Sequence, residues 1–307
     1  MGLLDKLITG TYKNAKKVPL YPRTRKQVFA EIFRYRKSTL VQVSLLIFLL
    51  AIPTAVLLSL GFLYKGMLPT FIEEGSIELP VPEDADLSLL VLRFRTDNLF
   101  FLISFATNAI LFLGVAGGVR VLQLLVWGEP VSVGYDFGQG IKSNWLFCLL
   151  SSLLVSIALF FANFVIHYYV ISQTYAVVKG ICIAIGSLVA FLVLGALMFA
   201  IPHGNLYTLS FFKTWKNAFL LFFHSFFKNV GILLLAALPL LLLLIPNVIV
   251  QTVLSILLLL LYPSYALILC ILNANTAFDR FLNVGQNAAI AGKGIVWEED
   301  GEDKVER

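Results

Sequence analysis

Charge is missing from this chain over long stretches, and that constrains its fold more than any other feature. Between Lys37 and Lys65 lie 27 residues without Asp, Glu, Lys or Arg. Asp97 and Arg120 enclose 22 such residues, Lys142 and Lys179 enclose 36, and Lys179 and Lys213 enclose 33. The last run, between Lys228 and Asp279, holds 50. A helix rises about 1.5 Å per residue, so about 20 residues cross the hydrocarbon of a bilayer. Four runs therefore suit one helix each, and the fifth suits two. Its break falls at Pro246-Asn247, because Pro removes a donor and Asn accepts a tight turn. The expected architecture is an all-α bundle of six transmembrane helices, at roughly 39–64, 98–126, 145–171, 180–201, 229–246 and 250–273. The runs do not alternate as barrel strands do. The first reads as a span rather than a signal peptide, being long, far from Met1 and not followed by a small-residue cleavage site.

Composition agrees. Hydrophobic residues make up 59 % and charged residues 13 %, against about 45–50 % and about 25 % in soluble domains. This excludes a disordered chain and a nucleic-acid reader, and three cysteines are too few for a disulfide scaffold.

Charge sets the expected orientation. Residues 1–37 carry ten Lys/Arg against Asp5 and Glu31. Loop 65–97 carries three basic residues against seven acids. Cationic segments stay in the cytoplasm, so both ends are expected inside. Three regions follow: a basic cytoplasmic arm over 1–38, a transmembrane domain over 39–278 and an acidic cytoplasmic tail over 279–307. The arm reads as a topology signal drawn to anionic headgroups or as a binding element. A weak repeat suggests three helical hairpins, each entered through a basic segment ending at Lys37, Lys142 or Lys228. Any helix leaving the cytoplasm favours such a start, so the repeat stays open.

Two cytoplasmic segments are more than connectors. One is loop 127–144. The other, 205–228, places Phe211, Phe212, Trp215, Phe219, Phe222, Phe223, Phe226 and Phe227 near helical spacing, with Lys213 and Lys216 between them. This suits a helix lying in the membrane interface or a platform for a partner, and the two are compatible.

Candidate catalytic groups are few. His167, His203 and His224 lie on different segments, without a second His or a carboxylate at i+3 or i+4. That spacing argues against a metal site, and no cofactor is expected. Cys148, Cys182 and Cys270 read as small apolar packing residues. No ionised group is expected near a midplane, which weighs against ion-coupled transport. Asn108 and Asn163 lie deeper and are assigned to interhelical hydrogen bonding, with pore lining second. Gly114-x-x-x-Gly118 reads as a close-packing motif within the chain. Gly138 to Ser143 lacks the adjacent Gly-Lys of a phosphate loop.

Several segments, in order, carry a family likeness. Phe29-Ala30-Glu31-Ile32-Phe33-Arg34 precedes the first span, which contains Ile52-Pro53-Thr54. Gly128-Glu129-Pro130 leads to Asp136-Phe137 and then to Ile141-Lys142-Ser143-Asn144-Trp145. Lys216-Asn217-Ala218-Phe219, Lys228-Asn229 and Phe278-Asp279-Arg280-Phe281-Leu282-Asn283 follow. The series resembles the YesL-like family of bacterial membrane proteins over about 250 residues. It departs from that pattern at Gln123 and Trp127, where basic residues are expected.

The resemblance implies the bacterial cytoplasmic membrane and association with permease subunits of a carbohydrate ABC importer. The leading expectation is a non-enzymatic accessory or assembly subunit. The alternative is an independent small-molecule transporter or channel. A membrane enzyme would need convergent titratable groups in one pocket. The working surface is placed on a cytoplasmic belt of three elements: Glu129, Asp136, Phe137, Lys142, Asn144 and Trp145 on the first, Lys216, Asn217 and Lys228 on the second, and Asp279 and Arg280 on the third. Asp279 and Arg280 are assigned a structural role. Asp136 and Asp279 are given Lys142, Arg280 or Lys228 as ion-pair partners.

The topology is testable by cysteine labelling. A cysteine at Gly75 should react with an impermeant reagent from outside intact cells. One at Gly301 should react only after permeabilisation.

Overall fold

The structure, a computed structural model, describes residues 24–77, 80, 85–172, 176–283 and 290–295. Among these the protein is all-α and has no strand. Six helices are long and apolar enough to cross a membrane. This is an integral membrane protein with the six-helix architecture expected from the uncharged runs. Residues 1–23 and the acidic stretch 298–307 lie outside the described residues.

The helices overrun the apolar windows. After a short α1 (Arg25–Tyr35) come α2 (Lys37–Glu73), α3 (Ala85–Trp127), α4 (Val133–Ser172) and α5 (Ala176–Leu206). Hydropathy marks where the membrane ends, not where the helix ends. Backbone pairing continues into water, and Lys, Arg, Gln and Glu are good helix formers. One expectation is corrected here. The loop expected over 127–144 is confined to 128–132, because α4 begins at Val133 and takes in Asp136, Phe137, Lys142 and Asn144.

The last run breaks where Pro246-Asn247 requires. The shorter α7 (Phe226–Ala237) tightens into a 3₁₀ turn over Leu238–Leu244. α8 (Val248–Phe278) then starts afresh, with Asn247 Oδ1 accepting from Val250 N at 3.1 Å. A π turn, Asp279–Asn283, closes it.

Part of the basic arm is a docked helix. Thr24 caps α1 in a reciprocal box with Gln27. Val28 and Ile32 are buried, and Phe29 and Phe33 set their rings against Tyr265 of α8.

The core sits at the end of the bundle that carries α1, here called proximal. Along α3, Val119, Val121, Leu122, Leu125 and Val126 are all buried. A segment buried on every side is the centre of a bundle. The Gly114–Gly118 seam packs α3 on α2, as expected. A Cβ at Gly118 would lie 2.6 Å from Ile47, and one at Gly114 3.2 Å from Leu50. α8 is fastened to α2 by a buried serine pair. Ser44 Oγ donates to Ser264 Oγ at 2.8 Å, and Ser264 Oγ donates to the Leu40 carbonyl at 2.8 Å. Pro263 interrupts α8 just before this pair, and the Ser264 amide turns to Ser44 Oγ at 3.2 Å.

The segment 211–224 is the amphipathic helix α6 (Phe211–His224). Its buried stripe faces protein. Trp215 Nε1 donates to Ser151 Oγ of α4 at 3.2 Å, and Phe222 fills the space over Gly195 of α5. The opposite side leaves Phe212, Leu220 and Phe223 exposed beside Lys213 and Lys216.

Residues 290–295 fold back beneath α3. Gly294 has φ +82°, and a Cβ there would lie 2.4 Å from the Val126 carbonyl oxygen. Gly75 has φ +69° but open space around it. Gly75→Ala should therefore cost only the left-handed backbone penalty, about 1–2 kcal/mol. Gly294→Ala adds a backbone clash and should lower the thermal midpoint in detergent clearly further. Equal effects would contradict a seated 290–295 segment.

Candidate functional site: the proximal polar face

The belt expected from sequence is drawn from three separate elements, and the structure gathers them at the proximal end. Asp279 is the hub. Its Oδ2 accepts from Arg25 Nη2 of α1 at 2.5 Å. Its Oδ1 accepts from Asn283 Nδ2 at 2.8 Å and from the Gly292 amide at 3.1 Å. Arg25 Nη1 also donates to the Lys293 carbonyl at 3.1 Å. Lys293 Nζ in turn lies 2.6 Å from Glu129 Oε1 and 4.6 Å from the centre of the Trp127 ring. One continuous set of contacts thus ties α1, the end of α8, the folded-back segment and the α3–α4 turn.

These partners correct the expected ion pairs. Asp279 takes Arg25, not Lys142, Arg280 or Lys228. Arg280 is exposed and lies over the ring of its neighbour Phe281 at 5.2 Å. Successive residues on a helix do not share a face, so Asp279 reaches inward while Arg280 stays outside. Asp136 has a local role. It sits in the first turn of α4, and its Oδ2 accepts from the Ser132 amide at 2.7 Å. A carboxylate there also suits the positive end of the helix dipole.

The other belt residues divide by burial. Phe137 is 6 % exposed, and its ring covers Gly117 of α3. It is a core residue, which corrects its expected place on the surface. Asn144 Nδ2 donates to Asn205 Oδ1 at 2.9 Å, joining α4 to α5. Lys142, Lys216 and Lys228 are exposed, Trp145 is half exposed, and Asn217 is partly buried.

A cleft of about 390 Å³ opens on this face between α3, α4 and the end of α5. Arg120 lines it from α3, Asp136, Gln139 and Asn144 from α4, and Asn205 and Tyr207 from the α5 side. The lining offers one cation, one carboxylate and several amides and hydroxyls. It contains no His or Cys. Such a surface can hydrogen-bond a polar group through Arg120, Asp136 and its amides and hydroxyls. Among the described residues no three His, Cys, Asp or Glu side chains gather as metal ligands.

Aromatic packing supports the cleft. His203 is fully buried, with its ring 4.8 Å from Tyr207 and 5.4 Å from Phe278. Tyr207 donates its hydroxyl to Asn283 Oδ1 at 2.5 Å. Burial, helped by the Asp279 carboxylate, pushes the Tyr207 phenol up to about 12, against the opposing pull of the Asn283 bond. It therefore remains a donor at neutral pH.

Deeper polar residues take unequal roles. Asn108 Nδ2 donates to Ser156 Oγ at 3.0 Å and joins α3 to α4, as expected. The Asn163 carbonyl accepts from His167 Nδ1 at 2.9 Å, while its own Nδ2 is buried without a partner. Gln123 is fully buried with both amide atoms unpartnered. His167 is not isolated. It shares a second cleft, at the opposite, distal end, with Lys65, Arg93 and Asp97.

Sequence reading missed Arg25, Lys293, Asn205 and Tyr207. The i, i+4 spacing of Asp279 and Asn283 was the one local signal of the hub. Arg25 and Lys293 meet Asp279 and Glu129 across the fold and leave no trace in spacing. No family model, curated protein or solved structure matches the chain.

The hub predicts a stability pattern. The Arg25 and Asp279 side chains are 14 % and 21 % exposed. Their pair thus lies between exposed pairs, near 1 kcal/mol, and buried ones, where losing one partner costs about 3–5 kcal/mol. Asp279→Ala and Arg25→Ala should each destabilise by about 2–4 kcal/mol, and the double variant by less than the sum. Asp136→Ala should cost about 1 kcal/mol, as a helix-end contact. Chemical denaturation in detergent checks all four.

Proposed function

We propose that this membrane protein is a non-enzymatic accessory or assembly subunit that docks permease subunits of a carbohydrate ABC importer through its proximal face. One observation carries the docking reading. The proximal face is cross-tied by the Asp279 hub, yet Lys142, Trp145, Lys216 and Lys228 stay exposed around it. Ordering cost is prepaid on such a surface, and an exposed Trp is an effective anchor in interfaces. Trp145 sits where α4 enters its apolar stretch, at the depth of another membrane subunit rather than of a soluble one. The importer class rests on the YesL-like resemblance. The excess of Lys and Arg near α1 supports a cytoplasmic proximal face.

An independent small-molecule transporter or channel is the second reading. Gln123, His203 and Asn275 favour it, because their buried polar atoms lack protein partners. Each such group costs about 1–3 kcal/mol, which packing alone does not repay. Neither described cleft is lined by Asn108, Gln123 or Asn163, however.

Co-purification in mild detergent separates the readings. The wild-type chain should bring down importer permease subunits. Lys142→Glu with Trp145→Ala should reduce their recovery by about tenfold or more, equivalent to about 1.4 kcal/mol, without lowering the thermal midpoint. Full recovery with that double variant would refute docking at this face. Solute uptake by the chain alone in proteoliposomes would establish the second reading instead.

A further inference from the structure

The distal cleft has a different chemistry and no role in the proximal docking reading. It holds about 360 Å³ between α2, α3 and α4. Lys65 of α2, Arg93 and Asp97 of α3, and His167 of α4 line it, with Phe62 and Phe94 on its apolar walls. Four titratable side chains from three spans converge there, although the sequence scatters them over about a hundred residues.

Charge in the cleft is unbalanced. Lys65 Nζ pairs with Asp97 Oδ1 at 2.6 Å, which neutralises the one carboxylate and holds the ammonium in place. Arg93 is exposed and makes no ion pair among the described residues. A guanidinium in this position is a fork for a phosphate. His167 Nδ1 must donate to the Asn163 carbonyl, since a carbonyl only accepts. With Nδ1 engaged in that bond, Nε2 is the ring nitrogen left for a hydrogen bond to a ligand. Cations for a phosphate and acceptors for hydroxyl groups lie in one cleft.

Depth places this cleft at the level of lipid headgroups. The 28 residue steps from Lys37 to Lys65 rise about 42 Å along α2. That matches the full thickness of a bilayer with its headgroups, about 40–45 Å. Phe62, one turn nearer the membrane centre, is 76 % exposed. The cleft thus offers cations, Lys65 and Arg93, beside an exposed apolar surface at Phe62.

We infer that the distal cleft binds the headgroup of an anionic glycerophospholipid carrying a phosphodiester and free hydroxyls, of the phosphatidylglycerol type. Arg93 and Lys65 take the phosphate oxygens. Asp97 and His167 accept from the headgroup hydroxyls. The acyl chains run down the exposed side of α2.

Native mass spectrometry of the full chain in detergent tests this with phosphatidylglycerol, phosphatidylcholine and glycerol 3-phosphate as probes. The wild type should retain one phosphatidylglycerol with about tenfold preference over phosphatidylcholine. Arg93→Gln should abolish the preference, and Phe62→Ala should weaken retention of both lipids at an exposed site where folding is not at stake. Equal retention of the two lipids, or a preference unchanged in Arg93→Gln, overturns the inference. Displacement of the lipid by equimolar glycerol 3-phosphate would show a site for soluble phosphate and overturn the lipid assignment. The proximal variant Lys142→Glu with Trp145→Ala should leave lipid retention unchanged, so failure here is distinct from failure of the docking reading.

Discussion

Within a bilayer the hydrophobic effect does not press one helix against another, because lipid tails are as apolar as leucine. Everything in this bundle follows from how it meets that constraint. Cohesion has to come from close backbone approach and from polar contacts shielded from water. The proximal half supplies both. α3 lies against α2 across Gly114 and Gly118, and against α4 where Phe137 covers Gly117 and where Gly140 meets the Arg120 stem. The Ser44–Ser264 pair and the Trp215–Ser151 bond add polar fastening between spans there, and the Asn108–Ser156 bond adds it near mid-helix. The distal half has its own, in the Lys65–Asp97 pair and in Gly186 of α5, where a Cβ would lie 2.6 Å from Ile166 of α4. Leu58, Leu60, Phe62 and Leu63 of α2 are exposed there, as lipid-facing residues should be.

The polarity of the proximal end has the same origin. Helices that overrun the membrane bring charged residues into water, where an exposed ion pair contributes little. Asp279 contributes more because its partners are largely covered and because it satisfies two further donors, Asn283 and the Gly292 amide. α1 and residues 290–295 then close over the core as one layer. That layer makes the proximal face a fixed surface instead of a set of free ends, and the docking reading depends on this rigidity. The distal cleft lies at the other end, between three spans and beside the exposed Arg93.

The sequence by itself determined the number of spans, the helix break at Pro246-Asn247, the close-packing glycines of α3 and the amphipathic α6. Each of these is a local property: an uncharged run, a missing donor, a small-residue spacing, a helical period. The ends of the helices were not legible, because hydropathy reports the membrane boundary and says nothing about where backbone pairing stops. Hence the belt on 127–144 became the opening turns of α4, and Phe137 went into the core. Only tertiary structure decided the partners of Asp279 and Glu129, and the meeting of Lys65, Arg93, Asp97 and His167 in one cleft. These contacts join residues far apart in the chain, and their pairing is set by which helix faces which across the bundle. Spacing along one strand of sequence carries no information about that.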